Sequence, residues 1–271
     1  MKRTTIRSLP FTVLGIVILA IMLFPIYWMV NTSLQSGATA VNATLVPIDP
    51  TGAAYAQAFS EQIGNMGTSL LIAFGTVVFT LLVATPAAYA LAKFRLRFVG
   101  LLMLALLISQ MIPGIVIANA LYPMFNNIGL LNNILGLVLA DATTSIPFAI
   151  LILRAYMESI PSSLVEAARV DGASHLRAFW SIVVPVSRNA IITAALFSFL
   201  FAWGDFVFGL TLTTSSSIRP VTLGIYTYLA ANVQSWAPVM ATATIASVPA
   251  IIFLIFAQRY VSAGALGGAL K

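Results

Sequence analysis

The sequence predicts an all-α integral membrane protein with six transmembrane helices, and three observations carry that prediction. Of its 271 residues, 60% are hydrophobic and only 7% are charged, whereas a soluble domain carries about 25% charge. The apolar residues fall in six runs, at 11–30, 69–92, 98–122, 134–153, 190–209 and 239–257. Each run is close to the ~20 residues a helix needs to cross a bilayer. Finally, twelve of the thirteen lysines and arginines lie in alternate gaps between the runs. A transmembrane β-barrel would show short alternating segments instead, and a helix satisfies its own backbone hydrogen bonds in lipid.

Lys2, Arg3 and Arg7 precede the first run, and Ala38-Thr39-Ala40 mimics a signal-peptidase site. The apolar stretch is longer than the ~7–15 residues of a signal h-region, and the Ala-x-Ala lies well past its end, so the run reads as a retained helix. The gap from 35 to 68 carries Pro47, Asp49, Pro50 and Gly52 and reads as an irregular loop. The second run closes on Lys93, Arg95 and Arg97, and the third contains Pro113-Gly114. Beyond the fourth lie Arg154, Arg169, Arg177 and Arg188; beyond the sixth lie Arg259 and Lys271. Only Arg219 falls in the opposite set of gaps, in a 213–238 segment with Ser215-Ser216-Ser217, Tyr226, Tyr228 and Trp236. Those aromatics read as interfacial anchors or as part of a docking surface. The positive-inside rule places both termini in the cytoplasm. The formal charge of +6 is therefore a topology signal, and no nucleic-acid role follows from it.

Several chemistries are excluded. Without cysteine there is no disulfide scaffold, thiolate zinc site or thiol nucleophile, and the single histidine, His175, cannot build a multi-histidine metal site. It supplies neither the H-E-x-x-H of a metalloprotease nor a base within a span for a serine hydrolase. A P-loop requires G-x-x-x-x-G-K-[ST], yet the three lysines follow Met1, Ala92 and Leu270. The chain holds no ATP or metal site of its own.

The densest polar information lies between the fourth and fifth runs, at about 158–188. Pro161 stops the fourth helix; Ser163 and Glu166 make an S-x-x-E pattern that predicts a capping box. Gly172 stands where a short helix should end in a left-handed turn, and Ser174 can cap a second helix running through Phe179 and Ile182 to Pro185. Ala167 and Ala168 keep one face small, which lets another protein approach closely. The order is Glu166-Ala167-Ala168, three residues, Gly172, nine residues, Ile182, one residue, then Val184-Pro185.

That spacing resembles the EAA loop of ABC-importer permeases, the segment through which a membrane subunit receives force from an ATPase. Further segments resemble the maltose-transporter-type carbohydrate uptake branch: Phe24-Pro25 with Tyr27-Trp28-Met29, Asn31-Thr32-Ser33-Leu34, the 86–94 stretch from Pro86 to Phe94, Ile160-Pro161-Ser162-Ser163-Leu164, and Phe201-Ala202-Trp203-Gly204-Asp205-Phe206. Gly204 departs from the Asn usual there. The resemblance covers nearly the whole chain, as one transmembrane permease domain over 1–271. It implies ATPase coupling through Glu166, Ala167, Ala168, Arg169, Asp171 and Gly172. It implies a second homologous permease subunit, two nucleotide-binding ATPase subunits that hold ATP and magnesium, and an extracytoplasmic solute-binding protein. It also implies inward sugar transport by alternating access in a bacterial or archaeal plasma membrane. An importer for a non-sugar solute and an ion-coupled secondary carrier are the alternatives. The carrier would favour paired intramembrane charges or inverted repeats, and Asp141 has no lysine, arginine or histidine within a span to pair with.

An ionisable group inside a span costs about 2.5–3.5 kcal/mol on insertion scales and is a functional candidate by default. Asp141, beside Thr143, Thr144 and Ser145, reads equally as a wall of the solute path or as an inter-helix hydrogen bond. Asp205 falls near a helix end, at the interface. Asn119, Thr144 and Trp203 complete the path candidates, with Gln110 as a polar group of the path or of the packing. Pro86, Pro113, Pro147 and Pro249 can each bend a helix.

Overall fold

The computed structural model describes residues 5–39, 42–94, 96–215, 217–230 and 235–269, with side chains described from 11 to 260 apart from residue 230. Lys2, Arg3, Ala40, Arg95, Ser216 and Lys271 lie outside the described residues, as does the side chain of Arg7. Every regular element among the described residues is helical. Four helices are long and apolar enough to cross a membrane, and two sharply bent helix pairs pass the same test as pairs; counting each pair as one span makes six. The chain divides into two compact units, one of residues 1–63 with 225–248 and one of 64–224 with 249–271.

The first unit contains α1 (Thr5–Ser33), the start of α2 (Ala53–Lys93), the end of α11 (Val221–Ala230) and the start of α12 (Ala237–Ala269). Residues 11–27 of α1 are all exposed, as befits a helix in contact with hydrocarbon on every side. The loop after it is ordered by side-chain amides. Gln35 and Thr44 exchange bonds, Nε2 to the Thr44 carbonyl at 2.8 Å and the Thr44 amide to Oε1 at 2.9 Å, while Asn31 Nδ2 donates to the same carbonyl at 2.7 Å. Ala54 and Ala58 of α2 pack on Ala237 and Ala241 of α12; small side chains let helix backbones approach closely. The expected irregular loop ends at Gly52 and not at Thr68, because α2 begins sixteen residues before the apolar run. Gln57, Ser60, Glu61, Gln62 and Asn65 hide that extension from hydropathy. At 41 residues, α2 is about 60 Å long.

The second unit is organised around α5 (Ile134–Glu158), more buried than the other candidate spans. It packs on α9 (Arg188–Gly204), α3 (Val99–Ser109), α4 (Gly114–Asn127) and α10 (Val207–Leu212). One apolar cluster joins Ala84, Ala88 and Tyr89 of α2 to Ile150, Leu153 and Met157 of α5 and Ala190 and Ala194 of α9. Another joins Ile72, Phe125, Leu137, Val138, Phe208 and Leu212.

Two of the expected single spans are broken. The run at 98–122 is α3 and α4, bent by 95°. Pro113 precedes α4 with ψ at 137°; its ring disfavours helical backbone in the residue before it. The fifth helix ends at Gly204 and not at residue 209, and α10 follows a break at Asp205-Phe206. The chain enters α9 through an elbow of 76° at Ser187. Within the 213–238 gap, residues 221–230 form α11.

Candidate coupling loop and solute path

The loop between α5 and α9 folds as two short helices joined by a tight turn. Helix α6 (Ser162–Val170) starts behind Pro161, whose ψ of 131° is extended. The predicted capping box is not formed: no side chain caps this helix, and Ser163 lies one residue inside it. Pro161 moves the start forward, since its fixed φ suits a helix entrance and its missing N–H leaves no donor to cap. The far end is as expected. Gly172 has φ of +85°, the Ala173 amide reaches back to the Ala168 carbonyl at 2.9 Å, and the Gly172 amide to Arg169 at 3.1 Å. This pair of bonds is the Schellman closure, which requires the left-handed residue. Ser174 then caps α7 (His175–Ala178), its Oγ accepting from the Arg177 amide at 3.2 Å. A π-helical turn, Phe179–Val183, carries the chain into α8 (Val184–Val186).

Two properties coexist here. Glu166, Ala167, Arg169, Val170, Asp171 and Gly172 are exposed, with Val170 88% so, and Ala168 is half-buried. The roots are not exposed: Ile160, Phe179 and Val183 are buried in the cluster that joins α2, α5 and α9. Tyr89 of α2 packs its ring on Phe179 at 5.2 Å and on Phe94 at 5.8 Å, and Phe94 meets His175 at 6.3 Å. Glu166 and Arg169 line a cavity of about 170 Å³ with Tyr89, Lys93 and His175. The loop therefore offers a free outer face on an anchored base.

Further ties here went unread in the sequence. The Lys93 ammonium donates to the Glu158 carbonyl at 3.4 Å and to the Ile160 carbonyl. Arg154 Nε donates to the Leu91 carbonyl at 3.3 Å, and Tyr156 OH to the Val186 carbonyl at 3.2 Å. Lys93 and Arg154 read in the sequence as topology charges only. Their positions one residue after a run's end were the available signal.

Of the solute-path candidates, Asp141 and Asp205 lie near enough for their carboxyls to interact electrostatically. Asp141 is buried at 3% exposure on α5, and Thr144 is half-buried with its hydroxyl donating to Asp141's own carbonyl at 3.0 Å. Gln110, in the break after α3, donates to the Thr144 carbonyl at 3.0 Å and so ties that break to α5. Trp203 is buried and stacks on Phe199 at 5.6 Å, which stacks in turn on Phe253 at 4.6 Å. Asp205 shapes the backbone, because its carboxylate accepts the amides of Phe208 and Gly209 at 3.3 and 3.0 Å and so starts α10. Asn119 is exposed on α4. Thr80 and Ser145 are fully buried, and their hydroxyls find no hydrogen-bond partner among the described residues.

Comparison with known proteins gives this geometry a context. Residues 84–266 match the family model described as binding-protein-dependent transport system inner membrane component. The trehalose transport system permease protein SugB of Mycobacterium tuberculosis is 32% identical over 275 residues, covering 98% of both chains. The sulfoquinovosyl glycerol transport system permease protein SmoH of Agrobacterium fabrum is 31% identical, over 92% of this chain and 89% of that one. Among solved structures, a chain of a bacterial ABC transporter that imports the acidic polysaccharide alginate shares the fold. Its TM-score is 0.79 at 23% identity, over 96% of this chain and 98% of that one.

Proposed function

We propose that this chain, which belongs to the family of binding-protein-dependent transport system inner membrane components, carries a sugar or related polar solute inward as one permease subunit of an ABC importer. It is a transmembrane permease and not an enzyme; in this family ATP hydrolysis belongs to separate subunits. Six spans with both termini in the cytoplasm of a bacterial or archaeal cell put the 158–188 loop on the ATPase side. Its partners are a second homologous permease, two ATPase subunits holding ATP and magnesium, and an extracytoplasmic solute-binding protein. The relatives' names, which specify trehalose and sulfoquinovosyl glycerol, support a hydroxyl-rich solute.

The observation that carries this reading is the loop's construction: exposed α6 closed by Gly172, on roots buried against α2, α5 and α9. Closure of the ATPase pair draws α6 inward, and the anchored base passes that displacement to the helices around the path. Glu166, Ala167, Ala168, Arg169, Asp171 and Gly172 form the receiving surface. Asp141, Thr144, Trp203, Asp205 and Asn119 stand as groups of the path or its frame; alternating access follows from the same lever.

The test is solute-stimulated ATP hydrolysis by the purified assembly in lipid. Gly172→Pro removes the amide bonded to Arg169 and forbids positive φ; Glu166→Lys inverts a charge on the exposed face. Both should lower stimulation at least about tenfold, one step of 1.4 kcal/mol. Unchanged stimulation and uptake in both variants would end the coupling reading.

A further inference from the structure

Helices α2 and α5 end side by side, and two cations cross between them in opposite directions. Lys93, in the last turn of α2, gives its ammonium to the carbonyl of Glu158, the last residue of α5, and to that of Ile160, two residues beyond it. Arg154, in the last turns of α5, gives Nε to the carbonyl of Leu91 in α2 at 3.3 Å, and its guanidinium meets Glu158 at 3.3 Å. Arg154 at Leu91 and Lys93 at Glu158 thus each serve a terminal carbonyl of the other helix, which no intrahelical amide takes and which carries the negative end of the helix dipole. Lys93 also holds the Ile160 carbonyl past the end of α5.

The alternative is that both are ordinary interfacial charges that set topology. Such side chains extend toward water, whereas Arg154 has only 22% of its side chain exposed. Nor does the Arg154–Glu158 pair explain itself as helix support, because a cation preceding an acid at i,i+4 is the weaker order. The Ile160 carbonyl held by Lys93 belongs to the peptide bond that enters Pro161, one residue before α6. Lys93 therefore grips the root of α6 from a different helix.

We propose that Lys93 and Arg154 are positioning residues for coupling, a reciprocal clasp that makes the end of α2 follow α5 when α6 is displaced. This rests on the reading that α6 receives the ATPase's motion. Long side chains on carbonyl acceptors keep contact through small shifts, beside the apolar cluster of Ala88, Tyr89, Leu153 and Met157 that joins the same two ends.

The measurement is solute uptake per ATP hydrolysed by the full assembly in lipid vesicles, alongside basal hydrolysis and co-purification of the ATPase. Lys93→Met keeps the stem and removes the ammonium. It should retain co-purification and basal hydrolysis, while uptake per ATP falls about fivefold or more, the lower end of ordinary coupling between sites. Lys93→Arg, which can still donate to both carbonyls, should restore most of the loss. If Lys93→Met does not assemble, Arg154→Gln takes its place in the same assay. Wild-type uptake per ATP in the assembled variant would overturn the clasp, and failure of both to assemble would make these residues structural and overturn it equally. The two readings fail separately: the loop reading through unchanged Gly172→Pro and Glu166→Lys, the clasp through unchanged Lys93→Met.

Discussion

The two ends of α5 are held in different ways. At its start, Gly136 lies so close to the preceding turn that a Cβ would sit 2.2 Å from the Leu130 carbonyl oxygen. Asn133 caps the helix by accepting the Leu135 amide at 2.8 Å. Asn132, with φ of +53°, accepts the amides of Thr214 and Ser215 and donates to the Thr214 hydroxyl, each at 2.8 Å. At its other end Leu153 and Met157 lie in the apolar cluster, the polar ties are the long side chains of Lys93, Arg154 and Tyr156, and the next helix along the chain is exposed α6. The start is fixed by short neutral groups with no spare room, whereas the far end adds long charged ties to the apolar cluster that holds Leu153 and Met157. On the proposed coupling reading, α5 is expected to pivot near its start and to move at its end, beside α6.

The largest effect is expected where room is least. In Gly136→Ala the new methyl meets a backbone carbonyl, which cannot turn aside as a side chain can, so the turn itself must move. Overpacking on that scale should destabilise the assembly by upwards of about 3 kcal/mol, read as loss of the intact complex on heating in detergent. Gly75→Ala is the matched control. There the obstacle at 2.8 Å is the Val138 Cγ2 methyl, and a side-chain adjustment should hold the loss to about 1 kcal/mol. Equal effects in the two variants would mean the start of α5 is no more rigid than its flank.

Asn132 tests whether that rigidity comes from the backbone turn or from the side-chain clamp. Asn132→Ala loses the amide and places an alanine at positive φ, which costs about 1 kcal/mol or more on top of hydrogen bonds with net worth of about 0.5–1.5 kcal/mol each. Asn132→Gly keeps the turn and loses only the amide. The alanine variant should cost about 2 kcal/mol or more by the same heating assay, and the glycine variant about half as much. If glycine costs as much as alanine, the clamp alone fixes this end.

Sequence and structure part company at particular elements. The Gly172 turn, the Ser174 cap and the apolar runs were legible because each is written in local chemistry: a left-handed position, a hydroxyl before a helix, a solvent preference. The S-x-x-E pattern misled because Pro161 overrode it two residues earlier. The start of α2 at Ala53 was invisible to hydropathy, which reports solvent and not backbone. Pro113 signalled a bend, but 95° depends on what α3 and α4 pack against. Asn132 carried no sequence flag, since its side-chain partners lie more than eighty residues away, whereas Asn133, directly before the fourth run, is an N-cap signal the runs alone do not use. Lys93 and Arg154 were legible as charges, but where they point is a tertiary fact.

The smallest effect is expected at an open position near the tight end. Gly204 closes α9, next to the Asp205 carboxylate that starts α10, and α10 packs on α4 and α5. Yet Gly204 is exposed, and a Cβ there would meet nothing within 4 Å. The resemblance to carbohydrate permeases implies an asparagine at this place, so Gly204→Asn restores an amide without displacing anything. Stability should change by no more than about 0.5 kcal/mol, as for exposed sites away from special features. If the position faces the solute, one added neutral hydrogen bond of about 0.5–1 kcal/mol should lower the KM of uptake about two- to fivefold. That outcome, with stability unchanged, would make the tight end a frame for the path as well as a pivot. A loss of stability would instead show that the close fit around Gly136 extends through α10 to the end of α9, and that this end has no open position.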